Sequence, residues 1–410
     1  MQFELMLENF NNIRISEYSY SLPEERIAKF PLEKRDDSKL LVYENGEISQ
    51  TKFFRLPERI PAQTLVVMND TRVIEARVLF KKETGATIEI FCLEPFEQNI
   101  ETAILLKEKA VWKCLIGGAS KWKPGQVLKK HLNSVDYIEA RYIEKKEDYF
   151  LIEFSWQPSG RSFIDVIHHA GAIPLPPYIK REIVEEDALR YQTIFSIADG
   201  SVAAPTASLH YTREVFEKFK KKNIEQAFLT LHVGAGTFKP VKSEFISEHQ
   251  MHAEPFTVSR QTVKKLISNQ TIIASGTTSL RSLESLYWTG VKIKCQTGSL
   301  NTIDQWEAYS LAASFDISKE ESLGSILNWM DENNQDHVHC RTSMMIVPGY
   351  RFKITQGLIT NFHQPNSTLL LLVAAFIGSD WKKVYDYALK NDFRFLSYGD
   401  GSLLWRNEGS

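Results

Sequence analysis

Residues 271–288 read TIIASGTTSLRSLESLYW. The run at its start reads as a strand, Gly276 permits a tight turn at the strand end, and the remainder reads as a helix. Residues 351–376, RFKITQGLITNFHQPNSTLLLLVAAF, repeat the order of strand, loop and helix. QAFLTLHVGAGTF (226–238) is a strand entering a Gly-rich loop. YTREVFEKFKKK (211–222) is an amphipathic helix with Val215, Phe216 and Phe219 as its apolar stripe. QTLVVMNDTRV (63–73) adds a buried strand that ends in a polar loop. Such alternation predicts an α/β fold with parallel strands.

Between residues 77 and 153 the texture changes. Short β-branched and aromatic runs (ATIEIFCLEP, AVWKCLIGG, DYIEARYIE, DYFLIEFSW) are divided by turn clusters. This pattern predicts an inserted small β-barrel domain at 77–153. The main domain is then discontinuous, residues 1–76 and 154–410. It is expected to be mixed α/β, parallel-stranded and barrel-like, with 300–340 as a second, local insertion.

The 410 residues suit two or three domains. Lys and Arg total 49 against 51 Asp and Glu, so the net charge of -2 offers no global attraction for nucleic acid. Any RNA contact must come from a local patch, for which Lys121, Lys123, Lys129, Lys130 and Lys218, Lys220, Lys221, Lys222 are candidates. The four cysteines form no CxxC pair, which argues against a zinc or thioredoxin-type centre. His249 and His252, or His337 and His339, lack further ligands at metal-site spacing, so no metal is expected. The start of the chain carries Glu4 and Glu8 without a basic, apolar leader pattern. The run LLLLVAAFIG (369–378) is too short to cross a bilayer and predicts a buried helix. A cytoplasmic protein without membrane contact, and a monomer, is expected.

In parallel α/β sheets ligands bind beyond the carboxyl ends of the strands. Four such ends carry polar clusters. They are Asn69, Asp70, Thr71 and Arg72; His232, Gly234, Gly236 and Thr237; Gly276, Thr277, Thr278, Ser279, Arg281 and Glu284; and Thr360, Asn361, His363, Ser367 and Thr368. Thr277–Ser279 is expected to cap its helix, where free N–H groups and the helix dipole favour an anion. HVGAG lacks GxGxxG spacing, so no dinucleotide-binding fold is expected. The small residues of SVAAPTASLHYT (201–212) suit either tight packing or close approach to a ligand.

These segments form an ordered set. NDTRV (69–73), PLPPYIKR (174–181), RYQT (190–193), VAAPTASLHYT, TLHVGAGTFKPV (230–241), HQMHAE (249–254), GTTSLRSLES (276–285), PGYRF (348–352), TNFHQPNSTLL (360–370) and FLSYGDG (395–401) follow one another along the chain. With them the chain resembles the S-adenosylmethionine:tRNA ribosyltransferase-isomerases of the queuosine pathway, from about Ile15 to Leu404 with an interruption at 300–340. The resemblance implies an α/β domain with an inserted β-barrel, and a transferase-isomerase. Its substrate would be tRNA carrying 7-aminomethyl-7-deazaguanine at the wobble position. S-adenosylmethionine would be a co-substrate rather than a true cofactor, and epoxyqueuosine-tRNA, adenine and methionine the products. Ser208 stands where the family usually has Gly, Tyr211 where it has Phe, and Gln364 and Asn366 where it has Leu and Lys.

A sulfonium acidifies the ribose C5′ hydrogens, so the implied reaction needs a base there and a proton donor at the departing adenine. His210, His232 and His363 are the first candidates, and Asp70 and Glu284 the second. Substrate contacts are expected from Asn69, Thr71, Arg72, Arg190, Tyr191, Gln192, Thr206, Gly234, Gly236, Thr237, Thr277, Thr278, Ser279, Arg281 and Asn361. Two other readings stay open at this point: an RNA-binding paralogue without catalysis, and ribosyl transfer to a different amine.

Overall fold

The structure, a computed structural model, describes residues 12–123, 125–234, 241 and 243–406. Among the described residues, three short 3-10 helices lead into the hairpin β1 (Lys39–Glu44) and β2 (Glu47–Lys52), followed by β3 (Thr64–Asn69) and the short β4 (Thr71–Val73). An antiparallel excursion comes next. It comprises β5 (Arg77–Lys81), β6 (Thr87–Pro95), β7 (Lys109–Gly117), β8 (Val127–His131), β9 (Tyr137–Lys145) and β10 (Phe150–Gln157). The helix Phe163–Ala170, β11 (Gly171–Ala172) and β12 (Ala198–Ser201) lead back. Then follow β13 (Glu225–Leu231), β14 (Glu254–Ser259), β15 (Thr271–Ser275), β16 (Thr302–Ile303), β17 (His337–Thr342), β18 (Gly357–Asn361) and β19 (Gly401–Trp405).

Ten of these strands form one sheet in the order β16-β17-β14-β13-β3-β15-β18-β19-β1-β2. Its centre, β13-β3-β15-β18, is parallel, and β3 and β18 are buried along their whole length. Continuous apolar strands of this kind are what a sheet covered on both faces requires. The flanks are mixed, antiparallel at β13–β14, β14–β17, β18–β19 and β1–β2 and parallel at β16–β17 and β19–β1. The α/β class is therefore as expected, but the sheet is mixed, and its ladder runs from β16 to β2 without closing into a barrel.

The second sheet, β11-β5-β6-β7-β10-β9-β8, has its own apolar core around Phe80, Trp112, Phe154 and Phe163. Strand β8 approaches β5, yet no ladder joins them among the described residues, so the hydrogen bonding describes a curled open sheet. Residues 300–340, expected as a local insertion, contribute β16 and β17 to the main sheet and the helix Lys319–Glu332 to its cover. That helix packs on the helix Thr277–Cys295, which is buried on nearly every side. The contact is close because Gly290 has no side chain: a Cβ there would collide with the Ser322 carbonyl and hydroxyl.

Helix propensity alone favours Ala over Gly by about 1 kcal/mol. Overpacking against a fixed backbone oxygen costs roughly 1–3 kcal/mol. The clash is expected to win, so Gly290→Ala should lower the thermal unfolding midpoint, measured by calorimetry.

Candidate active site

The parallel strands end together, and at their carboxyl edge lies a cleft with about 790 Å³ of non-atom space, its mouth included. Three chain segments form much of its wall. Residues 203–207, AAPTA, give a side of little bulk, with Val233 beyond the end of β13 beside them. Gly276, Thr277 and Thr278 follow β15, and Thr360–Gln364 close β18. The small-residue stretch is thus a wall of the cleft.

Local hydrogen bonds fix this wall. Thr206 Oγ1 donates to Asn361 Oδ1 at 2.8 Å, joining two walls of the cleft. Ser208 Oγ and Ser275 Oγ are 2.9 Å apart and fully buried, so each hydroxyl has a partner. Gly276 holds φ +100°, a conformation that L side chains rarely adopt, and its N–H donates to the Ile359 carbonyl at 2.8 Å. The expected Thr or Ser cap is not found, because the Ncap residue is Gly276 and makes no side-chain cap. A 19-residue helix therefore starts at the cleft with an uncapped first turn, where the dipole and N–H groups favour an anion.

The ionisable side chains among the described lining residues are Tyr178 and His363. His363 Nε2 is 2.8 Å from Thr360 Oγ1, and its backbone N–H donates to Tyr385 Oη at 3.0 Å. Although the ring keeps partial access to the cleft, its buried surroundings push its pKa down to about 3. It is neutral at neutral pH, with a lone pair free of a proton, and the same burial makes it a weaker base than an imidazole in water. Tyr178 shares a 2.6 Å hydrogen bond with Ser397, and burial pushes its hydroxyl up to about 12, so it keeps its proton.

The other two histidines do not line this cleft. His210 lies in an adjoining recess, with Nδ1 3.3 Å from the Arg35 carbonyl and Nε2 3.5 Å from Asn361 Nδ2, an asparagine that also lines the cleft. Burial lowers its pKa to about 4. His232 turns toward Thr71, whose Oγ1 is 3.0 Å from Nδ1, and burial lowers its pKa to about 4 as well.

Several other candidates are committed to the framework. Asn69 accepts from the amides of Thr71 and Leu231 and donates to the Leu231 carbonyl at 2.8 Å, tying β3 to β13. Gln192 clamps Val73 through both its N–H and carbonyl. Asp70 accepts from Thr230 Oγ1 at 2.7 Å, and burial raises its pKa. Arg72 lies 3.9 Å from Asp199, and Tyr191 packs edge-on against Tyr398. Ser279 donates back to the Ser275 carbonyl. Arg281 pairs with Glu254 in the interior, where burial lowers its pKa to about 10. Glu284, named as a candidate base, is fully buried and takes five hydrogen bonds from residues 350–355. Arg190 joins the adjoining recess. Gly234 has open space around it, while Gly236 and Thr237 lie outside the described residues.

The structure thus brings Thr206, Thr277, Thr278, Asn361 and His363 together. It adds Tyr178, Phe362, Leu396 and Ser397, which were not singled out as site residues. Leu396 holds φ +67°, a conformation that costs a non-glycine residue on the order of 1 kcal/mol or more. Such a backbone constraint leaves no signature in a leucine. No group of three or more His, Cys, Asp or Glu among the described residues is arranged to hold a metal, and no helix among them is long and apolar enough to cross a membrane.

The three depressed imidazoles make stability depend on pH. Unfolded histidine protonates near pH 6.5, whereas these stay neutral in the folded chain down to about 4 or about 3. Below about pH 6.5 the unfolded state therefore binds more protons. The unfolding midpoint should fall as pH drops from about 6.5 to about 4. His232→Gln, which keeps a partner for Thr71, should make that fall shallower in a pH series of thermal melts.

Comparison with known proteins agrees with this architecture of motifs. The family model described as "Queuosine biosynthesis protein" matches residues 15–404. An S-adenosylmethionine:tRNA ribosyltransferase-isomerase from Azoarcus sp. strain BH72 is 33% identical over 401 residues, covering 97% of this chain and 99% of that protein. One of the same name from Thermotoga petrophila is 37% identical over 401 residues, covering 96% of this chain and all of that protein. A crystal structure of S-adenosylmethionine tRNA ribosyltransferase from Thermotoga maritima matches with 28% identity and a TM-score of 0.45, over 95% of this chain and all of that one. On a family match of this extent, the chain belongs to the queuosine biosynthesis protein family and is a transferase-isomerase.

Proposed function

We propose that the cleft binds S-adenosylmethionine and that the chain transfers and isomerises its ribosyl moiety onto 7-aminomethyl-7-deazaguanine at the wobble position of a tRNA. Adenine and methionine leave, and the product is epoxyqueuosine-tRNA. The observation that carries this reading is the juxtaposition, in one cleft, of an uncapped 19-residue helix start and a neutral imidazole.

The helix start suits the methionine carboxylate, since its free N–H groups and dipole favour an anion. The low wall at Ala203, Ala204 and Ala207 lets backbone come close to the nucleoside, and Phe362 and Tyr178 offer aromatic surface. His363 takes the C5′ proton that the sulfonium has acidified, and the Tyr178–Ser397 hydroxyl pair donates toward the departing adenine. The amine of the modified base then attacks, and methionine leaves with the sulfur. S-adenosylmethionine is consumed as a co-substrate, and we assign the reaction no cofactor or metal.

Adenine release from S-adenosylmethionine tests the reading. Release only in the presence of tRNA carrying the aminomethyl base supports it. Release with another amine instead makes the chain a different ribosyl transferase, and no release under any condition makes it a binding protein. His363→Gln should lower kcat by about 10²–10⁴-fold with little change in KM. The kcat/KM of the unsubstituted enzyme should show no acid limb from His363 between pH 5 and 8, because that imidazole is already neutral there.

A further inference from the structure

Beside the cleft lies a second recess of about 280 Å³ of non-atom space, its mouth included. Arg35, Arg190 and Arg394 line it together with His210 and Tyr398. Ser397 belongs to both cavities, so they share a wall.

All three guanidinium groups are oriented by backbone carbonyls, and Arg190 and Arg394 each also face one carboxylate. Arg35 donates to the carbonyls of Gln192 at 2.9 Å, Leu209 at 3.2 Å and Leu189 at 3.4 Å, and it has no carboxylate partner among the described residues. Arg190 donates to the carbonyls of Leu32 and Glu33, and its acidic partner is Glu186, whose side chain is 63% exposed. Arg394 donates to the Phe30 carbonyl at 3.3 Å and stands 3.5 Å from Asp400. A guanidinium has five N–H donors, so each of the three keeps donors to spare. Burial and the nearby charge of Arg190 both lower the pKa of Arg35. His210 adds no charge, since burial keeps it neutral. The recess therefore carries the charge of Arg35 without a carboxylate among the described residues to offset it, with planar donors left over on all three guanidinium groups, which is the chemistry that recognises a phosphate.

We propose that this recess seats a backbone phosphate of the RNA strand whose base enters the neighbouring cleft. The proposal rests on the reading of the cleft given above, in which the methionine carboxylate already has a place at the helix start. A nucleotide placed with its base across the wall at Ser397 has its own phosphodiester on the recess side. The recess then sets the register of the strand, while the net charge of -2 keeps the remainder of the protein from holding RNA indiscriminately.

The test is tRNA affinity measured against salt concentration, with a tRNA transcript as the probe, for the unsubstituted protein, Arg190→Gln and Arg394→Gln. Each substitution should weaken tRNA binding and make the slope of log affinity against log salt shallower by about 0.7–1. Binding of S-adenosylmethionine alone should be unchanged. Arg394→Lys, which keeps the charge, should restore most of the slope and controls for a folding defect. Unchanged slopes overturn the proposal. Unchanged slopes with weakened S-adenosylmethionine binding give the recess to the methionine carboxylate instead. Loss of adenine release in the unsubstituted enzyme would count against the reading of the cleft, whereas the salt slopes speak to the recess alone.

Discussion

Glu284 is the buried carboxylate to which the cleft is referred. Its Oε1 accepts from the amides of Ile354 and Thr355 and from Thr355 Oγ1, and its Oε2 from the Lys353 amide and Tyr350 Oη. Tyr350 in turn accepts from Trp288 Nε1 at 2.9 Å. A carboxylate taken out of water is tolerated only when such donors replace its hydration. The network ties the helix Thr277–Cys295 to the segment that enters β18. One end of that helix is the uncapped turn at the cleft, and the far end of β18 delivers Asn361 and His363 to the opposite wall. Rotation or sliding of the helix would strip hydrogen bonds from a group that has no solvent to turn to.

The remaining walls are set by shorter connections. The Ser208–Ser275 hydroxyl pair and the Thr206–Asn361 bond hold the small-residue turn between β15 and β18. Bulk is kept out by Ala203, Ala204 and Ala207, and shape is kept in by polar contacts between neighbours. Such an arrangement favours a reaction in which charge moves, because preorganised dipoles need not reorient.

The alternation of strand, loop and helix around residues 271–288 and 351–376 was legible because each period is local, and so was the change of texture at 77–153. The assembly of the cleft from strand ends followed from the geometry of parallel sheets. Which histidine faces inward was not legible. His210, His232 and His363 all sit beside small or polar residues, and only long-range packing separates the one in the cleft from the other two. Polar residues of Gln192 and Asn69 type look equally suited to ligand or backbone, and here the backbone holds both. The place of residues 300–340 was hidden for the same reason, since β16 and β17 pair with strands far away in sequence or too short to show a period.

The second sheet leaves and rejoins the chain at neighbouring points. Gly171 and Ala172 pair with Val78 and Arg77, and a Cβ on Gly171 would collide with the Glu75 carbonyl. With entry and exit already side by side, the excursion closes a loop whose entropic cost rises only with the logarithm of its length. Its size and surface can therefore drift over generations at small thermodynamic expense to the ten-stranded sheet. A change of length within the excursion therefore leaves the strand ends that wall the cleft where they are.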